Sequence, residues 1–577
     1  MSLNSAMHIG ASALRASQVG LQVTGNNLAN VSTPGYSRQV VGLAPIQGQN
    51  FGAPYILGRG VGVTGVTRQI SESLNARLRT GVSDESAARG QLDVLSQLES
   101  VLGELSGSDL SSAMDRFFGA WSELANLTES GAAVIASGRE LAGVFHRISG
   151  DLKTLRAQVD RELGVSVTKA HELAQSIADL NRQIVASEVG SAKANGLRDQ
   201  RDQVLSELSQ LMDVSVVELG DGAMDVLVGS TPIVLGASAR RLTLETETVG
   251  GVTRAYIAAG ADGREIPVRS GRIGSMMDAR NGEIDGALER IDTLAARLIH
   301  EVNTLHATGS SKAGLTQATS LLAFPIGDRS LPLNSPENAS IAGLPIKPTN
   351  GGFYIEVKDS SGQTTRTRIS VDLDGITGAG GSGVGDDTTL EGLIASINAV
   401  DGVSASFGPD GKLRINADNG FTFGFADDTS GVVGALGFNA YFTGTNASNM
   451  DVRADLSRNP GQLSIGRSMR GEFVANGTAM EIAGLREKPL DALGGASLRG
   501  YWQDGAQSIG VATQAARSNF QASVTVRESL QAQRDSVSGV SIDEESINLL
   551  NFQRQYQGAA RLISVADELM RTLMSLV

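Results

Sequence analysis

The apolar stripe at the C-terminal end of the sequence constrains the fold more than any other feature. Apolar residues recur there in alternating steps of three and four, the spacing that lines one face of a long helix. The segment SIDEES precedes the stripe, and its Ser541 or Asp543 can cap a helix whose N-terminus the carboxylates favour. The stripe consists of Leu549, Phe552, Tyr556, Ala559, Ile563, Ala566, Met570, Leu573 and Val577. We therefore predict a long C-terminal helix with one apolar face.

A second stripe lies near the N-terminus and predicts a helix from about Leu3 to Ala29. Its members, seven residues apart, are Met7, Leu14, Leu21 and Leu28. The C-terminal stripe runs to the last residue of the sequence, so we expect an earlier segment to cover it, and the N-terminal helix matches it in length and spacing. One helix leads into the chain and the other leads out of it. We therefore expect the two helices to pair in antiparallel orientation.

The terminal helices offer few apolar side chains for the length of backbone that must be ordered. We therefore expect both ends to be disordered or loosely helical in the monomer. They would become ordered when further copies of the chain supply apolar surface, which couples folding to assembly.

Composition and charge exclude several classes of function. The chain has 577 residues and no cysteine, which excludes disulfides, thiolate metal sites and cysteine nucleophiles. Its net charge is -14 and its basic residues are scattered, so nucleic acid is not expected as a partner. No apolar run is long enough for a membrane span, and the first basic residue is Arg15, so neither membrane insertion nor a cleaved secretory signal is expected.

The periodicity of the sequence changes along the chain and predicts the order helix, β, helix, β, helix. Two heptad runs lie in the first helical region, and Gly164 between them permits a bend. The predicted regions are helical at 71–212, β at 213–269, helical at about 275–306, a proline-bearing connector at 309–350, β-rich at 351–444 with one short helix TLEGLIASINAV, and helical again from about Ser508.

Motifs for catalysis or cofactor binding are weak. The string GAGGSG at 378–383 matches a dinucleotide fingerprint, but Asp386 and Asp387 at the following helix start would repel phosphates, so a hairpin connector is expected. The string VDLDG at 371–375 lacks the third ligand position and the glutamate of a calcium loop, so a turn is expected.

The histidines do not form a metal site in sequence. His300 and His306 are six residues apart, which places them on different faces of a helix, whereas a zinc-binding helix needs a spacing of four. The sequence has no nucleophile elbow and no phosphate-binding loop. We therefore expect no enzymatic activity, no cofactor and no metal.

Three motifs resemble one family of proteins. The segment NNLANVSTPGYSRQ, from Asn26, is similar to the signature of flagellar rod, hook and hook-associated proteins, and SGVSIDEESINLLNFQRQYQGAARLISVADELMRTL resembles their C-terminal segment. The internal string LGFNAYFTGTNAS, Leu436 to Ser448, is similar to one that characterises the flagellar hook-associated protein 1 (FlgK) family. Within the first motif, Asn30 suits a left-handed helix stop and Pro34-Gly35 suits the centre of a type II turn.

The resemblance implies an α+β fold for an elongated multi-domain axial protein. Paired terminal helices would form a coiled-coil-like inner domain, followed by a long-helix middle domain and inserted β-rich outer units. The expected domains are a terminal helical assembly domain at 1–60 with 500–577, a helical middle domain at 61–212 with 270–350 and 445–499, a small β insertion at 213–269, and a β-rich outer domain at 351–444.

The resemblance also implies a structural role at the junction between the flagellar hook and filament. Partners would be further copies of the chain in a ring, the hook protein, hook-associated protein 3 and a flagellar export chaperone, with no nucleic acid and no membrane insertion. The location would be extracellular, reached by type III export without a cleaved signal peptide. The expected assembly residues are Met7, Leu14, Leu21, Leu28, Asn26, Asn27, Tyr36, Leu549, Phe552, Tyr556, Ile563, Met570, Leu573 and Val577.

Two alternatives stay open at this point. Another flagellar axial protein, such as a hook or distal-rod relative, would share the terminal motifs and differ in the neighbour it binds. A secreted binding module would instead carry a ligand cleft with clustered carboxylates or aromatics in residues 351–444. Its terminal helices would be ordered without partners.

Overall fold

The chain mixes long helices with small antiparallel sheets, and the predicted α+β class is confirmed. A computed structural model has 56% of residues in helices and 19% in strands. It describes residues 3–47, 49–50, 56–103, 109–127, 131–188, 193–249, 252–311, 313–377, 382–469 and 472–575.

The helices, in chain order, include several of unusual length. They are α1 Leu3–Ala29, α2 Glu72–Leu102, α3 Leu110–Leu127, α4 Ala132–Ser187, α5 Asn195–Leu211, α6 Gly271–Asp278, α7 Asp285–Ala307, α8 Ile326–Arg329, α9 Ala339–Ala342, α10 Leu390–Asn398, α11 Val432–Ala435, α12 Ala454–Arg458, α13 Gly477–Gly484, α14 Leu498–Ser538 and α15 Ile542–Ser575. A π-helical segment, Ala279–Ile284, joins α6 to α7, and short 3₁₀ turns occur at Pro460–Gln462 and Asp491–Leu493.

The strands are short and pair in antiparallel orientation. They are β1 Gln39–Pro45, β2 Gln49–Asn50, β3 Ile56–Leu57, β4 Val61–Arg68, β5 Val214–Glu218, β6 Met224–Val228, β7 Thr231–Leu235, β8 Ser238–Ala239, β9 Leu242–Val249, β10 Val252–Ala259, β11 Arg264–Ile266, β12 Gln317–Ala323, β13 Gly351–Lys358, β14 Thr364–Val371, β15 Val403–Phe407, β16 Lys412–Ala417, β17 Thr422–Ala426, β18 Phe442–Thr443, β19 Asp451–Val452, β20 Arg467–Met469 and β21 Glu472–Val474. Their sheet orders are β1-β4, β2-β3, β5-β6-β7-β8, β11-β10-β9, β12-β16-β15, β14-β13-β17, β18-β19 and β20-β21.

The chain forms two compact units. The first comprises Met1–Leu95, Gln158–Gly282 and Thr513–Val577, and the second comprises Ser96–Ala157 and Glu283–Ala512. The four-part domain division drawn from the sequence stays a prediction.

The first unit contains the terminal helices and the small β insertion. Helix α1 contacts α15 on one side and the β1–β4 hairpin on another. Strands β5 to β11 form two antiparallel sheets within the region for which the sequence predicted β structure. Buried Arg201 of α5 donates to the Asn181 side chain and to the Gly222 carbonyl, which ties α5 to α4 and to the turn before β6.

The second unit contains the β-rich region with two three-stranded sheets and α10. Alternate residues of its strands, such as Phe353 and Ile355 of β13, are buried together with Leu393 of α10. Thr389 caps α10 by accepting a hydrogen bond from the Gly392 amide at 3.0 Å. The predicted strands and the predicted short helix are confirmed here.

Helix α4 spans both heptad runs, and the bend that Gly164 permits stays a prediction. Two other elements differ from the sequence prediction. The proline-bearing connector contains β12, which pairs with β16 through Thr319 and Arg414 and depends on that distant partner. Helix α14 begins at Leu498, before the predicted start, because Leu498 and Trp502 are buried in the second unit and anchor its first turns.

The motif Leu436 to Ser448 lies largely in the core of the second unit. Asn439 adopts a left-handed conformation, φ 46°, and its side-chain amide donates to the His306 carbonyl and to Ser464 Oγ. The Tyr441 hydroxyl donates to the Val134 carbonyl at 2.7 Å. The discriminating string of the sequence therefore has a structural role in joining helices.

Candidate assembly interface

Helices α1 and α15, which we call the terminal pair, lie side by side in antiparallel orientation. Gly10 lies against Ile563, and Gly20 lies against Phe552, so one helix ascends as the other descends. A methyl group at Gly20 would be 2.5 Å from the Phe552 ring, and one at Gly10 would be 2.7 Å from Ile563 Cγ1. The predicted antiparallel pairing is confirmed, and glycines set its close approach.

Small and polar residues form the buried face of the terminal pair. On α1 the buried residues are Gly10, Ala16, Ser17, Gly20, Thr24 and Asn27, and on α15 they are Glu545, Ala559 and Ala566. The predicted N-terminal stripe, which is Met7, Leu14, Leu21 and Leu28, is half-buried beside this face. In the sequence, the Gly, Ser and Thr residues at the positions next to the stripe indicate the face on which α1 approaches α15 closely.

The described residues of the predicted C-terminal stripe divide into three groups by burial, of which Ala559 and Ala566 form the buried one. Leu549, Phe552, Ile563 and Met570 are half-buried, while Tyr556 is 38% and Leu573 is 56% exposed. Val577 lies outside the described residues. The terminal pair therefore covers only part of this stripe within one chain.

A polar network lies at the end of the terminal pair where α1 leads into residues 30–38. We call these residues the connector after α1. Asn27 Nδ2 donates to Glu545 Oε2 and to the Gln39 carbonyl, both at 2.9 Å. Asn27 Oδ1 accepts from the Gln39 amide at 3.0 Å and from the Tyr36 hydroxyl at 2.8 Å. Asn26 is exposed and donates to the Tyr36 hydroxyl at 3.2 Å. These three predicted residues meet within one chain, and their role between subunits stays a prediction.

The Glu545 carboxylate is buried, and Arg38 supplies its counter-charge. Arg38 Nε donates to Glu545 Oε1 at 2.9 Å, and Arg38 Nη1 donates to Glu544 at 2.8 Å. Its backbone amide also donates to the Ser538 carbonyl. A buried carboxylate is costly without a partner, so the network makes α1, the connector and α15 mutually dependent.

Burial, together with the charges of Asp199 and Glu545, raises the pKa of Tyr36 to about 12. The phenol therefore stays protonated at neutral pH and can donate to Asn27.

Sequence reasoning missed Arg38 and Glu545, although Arg38 lies in the N-terminal motif and Glu545 in the segment before the C-terminal stripe.

The connector after α1 begins with a turn. The Tyr36 amide donates to the Thr33 carbonyl at 3.2 Å, and Gly35 has φ 80°, which confirms the predicted type II turn. The expectation of a left-handed helix stop at Asn30 is wrong. Asn30 does not have a positive φ, and its amide donates to the carbonyls of Asn26 and Asn27 as in a right-handed helical turn.

The connector is also fixed to α5. The Ser37 amide contacts Asp199 Oδ2 at 3.5 Å, and Arg68 at the end of β4 donates to Asp199 at 2.9 Å and to Asp202 at 2.7 Å. Asp199 is largely buried, and burial raises its pKa against the opposing effect of Arg68. This ion pair positions the connector and the hairpin on the helical part of the first unit.

Helix α15 carries a second apolar face, which we call the outer stripe. Its members, with their exposed fractions, are Ile547 60%, Leu550 54%, Leu562 41%, Val565 53%, Leu569 53% and Leu573 56%. At about 100° per residue this face is on average turned roughly 120° from the side chains that meet α1, and Leu573 lies at the edge that it shares with the predicted C-terminal stripe. Polar residues interrupt the face between Leu550 and Leu562. From Leu562 to Leu573 the exposed apolar residues follow one another at helical spacing, which indicates a contact surface.

The structure also shows the surroundings of His306 and of the GAGGSG string, which the sequence analysis considered as candidate sites. His306 is buried, with Nδ1 bonded to the Asn439 carbonyl at 2.6 Å and Nε2 accepting from the Ser464 amide at 3.1 Å. Around the GAGGSG string, Ile376 pairs with Ser382, as a hairpin connector requires, while residues 378–381 lie outside the described residues. Among the described helices, none is long and apolar enough to cross a membrane.

Three family models match the chain. The helical domain of flagellar hook-associated protein FlgK matches residues 95–319. The C-terminal model of flagellar basal body rod FlgEFG proteins matches residues 531–576, and the flagella basal body rod protein model matches residues 7–36.

Curated relatives match over nearly the whole chain, and each is named flagellar hook-associated protein 1. The Escherichia coli K12 protein is 24% identical, covering 100% of this chain and 99% of its own length. The Salmonella typhimurium LT2 protein is 25% identical, with 98% of both chains covered. The Bacillus subtilis 168 protein is 25% identical, covering 97% of this chain and 95% of its own.

A solved structure, of the flagellar hook junction protein FlgK from Burkholderia pseudomallei, is 15% identical with a TM-score of 0.48. It covers 80% of this chain and 100% of that one.

The matches at the two ends define the class of protein. Both terminal models describe flagellar rod proteins, and they include most of α1 and α15, so the terminal pair belongs to a flagellar axial protein. The central match and the full-length relatives are more specific. The chain belongs to the flagellar hook-associated protein 1 (FlgK) family.

Proposed function

We propose that this protein is a structural component of the junction between the flagellar hook and filament and that it polymerises through the terminal pair. The observation that carries the proposal is the outer stripe. One chain covers the inner face of α15 with α1 and leaves the second apolar face in solvent. A neighbouring copy would cover it.

The energetics favour assembly over the isolated chain. Burying the exposed half of one Leu, Ile or Val side chain contributes roughly 1 kcal/mol, and the outer stripe offers a row of such side chains. The ordering of the terminal helices would then be coupled to polymerisation, since each added copy supplies apolar surface that a single chain lacks.

In this proposal some of the predicted site residues act within one chain and others contact a neighbouring subunit. Phe552 and Ile563 hold the pair together, while Tyr556 and Leu573 are exposed enough to contact another subunit. The remaining proposed interface residues are Met7, Leu14, Leu21, Leu28, Asn26, Asn27, Tyr36, Leu549, Met570 and Val577.

Membership of this family supports the partners that we propose. We propose a ring of identical subunits bounded by the hook protein on one side and hook-associated protein 3 on the other. An export chaperone would bind near the C-terminal region before assembly, and the chain would leave the cell through the flagellar export channel without signal cleavage. The protein would act by assembly and would catalyse no reaction.

The test is incorporation into the flagellum. Val565→Asp and Leu569→Asp place a charge on the outer stripe without touching the face that meets α1. Both variants should fold as monomers with the circular dichroism of the parent chain and fail to attach filaments to hooks. Ile563→Asp is a poorer probe, because Ile563 lies against Gly10 and its loss would also open the terminal pair.

Ser564→Asp is the matched control, since Ser564 is an exposed polar residue of the same helix turn. It should leave filament attachment intact. Normal attachment in both outer-stripe variants would overturn the proposal that this face contacts neighbouring copies.

A further inference from the structure

Three carboxylates converge in the β-rich region of the second unit. One oxygen each from Asp372, Asp374 and Asp387 lies within 4.8 Å of the others. Asp372 and Asp374 follow the end of β14 and are exposed, whereas Asp387 precedes α10 and is only 4% exposed.

The backbone holds these carboxylates in place. The Thr388 amide donates to the Asp372 carbonyl at 2.7 Å, and the Asp372 amide donates to Thr388 Oγ1 at 2.8 Å. The Leu333 amide donates to the Thr388 carbonyl at 2.9 Å. Three separate segments are therefore joined at this point, and the cluster is fixed by ordered structure on each side.

No described residue forms an ion pair with the charged cluster. Within the described part of the chain, none of the three carboxylates takes part in a salt bridge. Like charges at this separation repel one another, most strongly where one of them is buried.

Two buried acceptor atoms beside the cluster also lack donors. Asp387 Oδ2 accepts from Asn334 Nδ2 at 2.6 Å, but no described residue donates to Asp387 Oδ1 or to Asn334 Oδ1. A buried carboxylate oxygen and a neighbouring amide oxygen, both without a donor, cost free energy that a cation would offset. Asp387 Oδ1 belongs to the most buried acid of the cluster, and Asn334 Oδ1 beside it is a second buried oxygen without a donor, so a positively charged ligand would satisfy both.

We propose that Asp372, Asp374 and Asp387, together with the side-chain oxygen Asn334 Oδ1, bind a calcium ion. Calcium takes carboxylate and amide oxygens in flexible geometry and completes its coordination with water, which suits a cluster that is exposed on one side. Asp374 Oδ1 accepts from the Ile376 amide at 2.8 Å, so its other oxygen remains for the ion.

The tertiary structure supplies what the VDLDG string lacks. That string has two carboxylates and no third ligand within the loop. The third carboxylate, Asp387, comes from the residues just before α10. The ion would tie the end of β14 to the start of α10.

The experiment is isothermal titration of the full chain with calcium chloride after treatment with a chelator. We expect one site with a dissociation constant of about 10⁻⁴ to 10⁻³ M, the range of extracellular calcium modules. Asp387→Asn keeps the shape of the side chain and removes its charge, and it should weaken calcium binding about tenfold or more. Asp374→Asn should act in the same direction.

Asp401→Asn is the matched control, because Asp401 is an exposed acid of the same region outside the cluster. It should bind calcium as the parent chain does, and circular dichroism should show that all three variants are folded. The proposal is overturned if the parent chain gives no calcium heat, if Asp387→Asn binds with unchanged affinity, or if magnesium binds while calcium does not.

Discussion

Asn27 Nδ2 donates to Glu545 Oε2 at 2.9 Å across 518 residues of sequence. Both side chains are buried, with Asn27 in the last turn of α1 and Glu545 in the first turn of α15. This hydrogen bond joins the polar motif near the N-terminus to the start of the C-terminal helix.

Removing the Asn27 side chain should open this end of the terminal pair. Asn27→Ala removes the donor to Glu545 Oε2 and the partner of the Gln39 amide and carbonyl, while Arg38 stays bonded to Glu545 Oε1. The loss should cost about 1–3 kcal/mol. Hydrogen exchange of the α1 amides measures the loss as faster exchange. Asn26→Ala is the control, since Asn26 is exposed and should change exchange little; equal effects of the two variants would contradict the assigned role.

The close approach of α1 and α15 should not tolerate a side chain at Gly20. A Cβ there would lie 2.5 Å from the Phe552 ring, and Gly20→Ala should destabilise the pair by roughly 1–3 kcal/mol through overpacking. Gly25→Ala on the same helix meets no atom within 4 Å and should instead stabilise the helix by up to about 1 kcal/mol. Urea unfolding followed by circular dichroism distinguishes them, and a stabilising Gly20→Ala would refute the contact.

The second unit should lose stability in acid through His306. Burial lowers the pKa of His306 from 6.5 to about 3, so the folded state holds the imidazole neutral. Its contribution is complete above pH 6.5 and is lost as the pH falls toward 3, because the unfolded chain takes up the proton first.

Urea midpoints between pH 7.5 and 4 measure this dependence. His306→Gln should be less stable at neutral pH and should show a flatter decline in acid than the parent chain. His8→Gln, at an exposed position of α1, should follow the parent profile. Parallel profiles for the parent chain and His306→Gln would rule out this contribution.

Limited proteolysis tests the coupling of folding to assembly. In the monomer we expect rapid trimming of about the first 60 and last 70 residues, because the exposed outer stripe leaves these segments only partly stabilised. Mass spectrometry of the products locates the cuts. Ends that resist digestion in the monomer would show that the terminal pair is stable by itself.

Periodicity in the sequence determined the elements. The helix from Leu3 to Ala29, the antiparallel partner at the C-terminus, and the strands and short helix of residues 351–444 follow from local spacing and turn chemistry. These predictions are confirmed because amphipathic period and capping act within a few residues of the chain.

Contacts between distant segments were decided only by the tertiary structure. The stripe of Met7 and Leu14 predicted one face of α1, whereas the close contact uses Gly10 and Gly20 beside it. The strand β12 forms against β16, and Asp387 joins Asp372 only in the folded chain. Spacing determines which residues share a face, but the side chains that fill the opposite surface determine which face is buried and which charges meet.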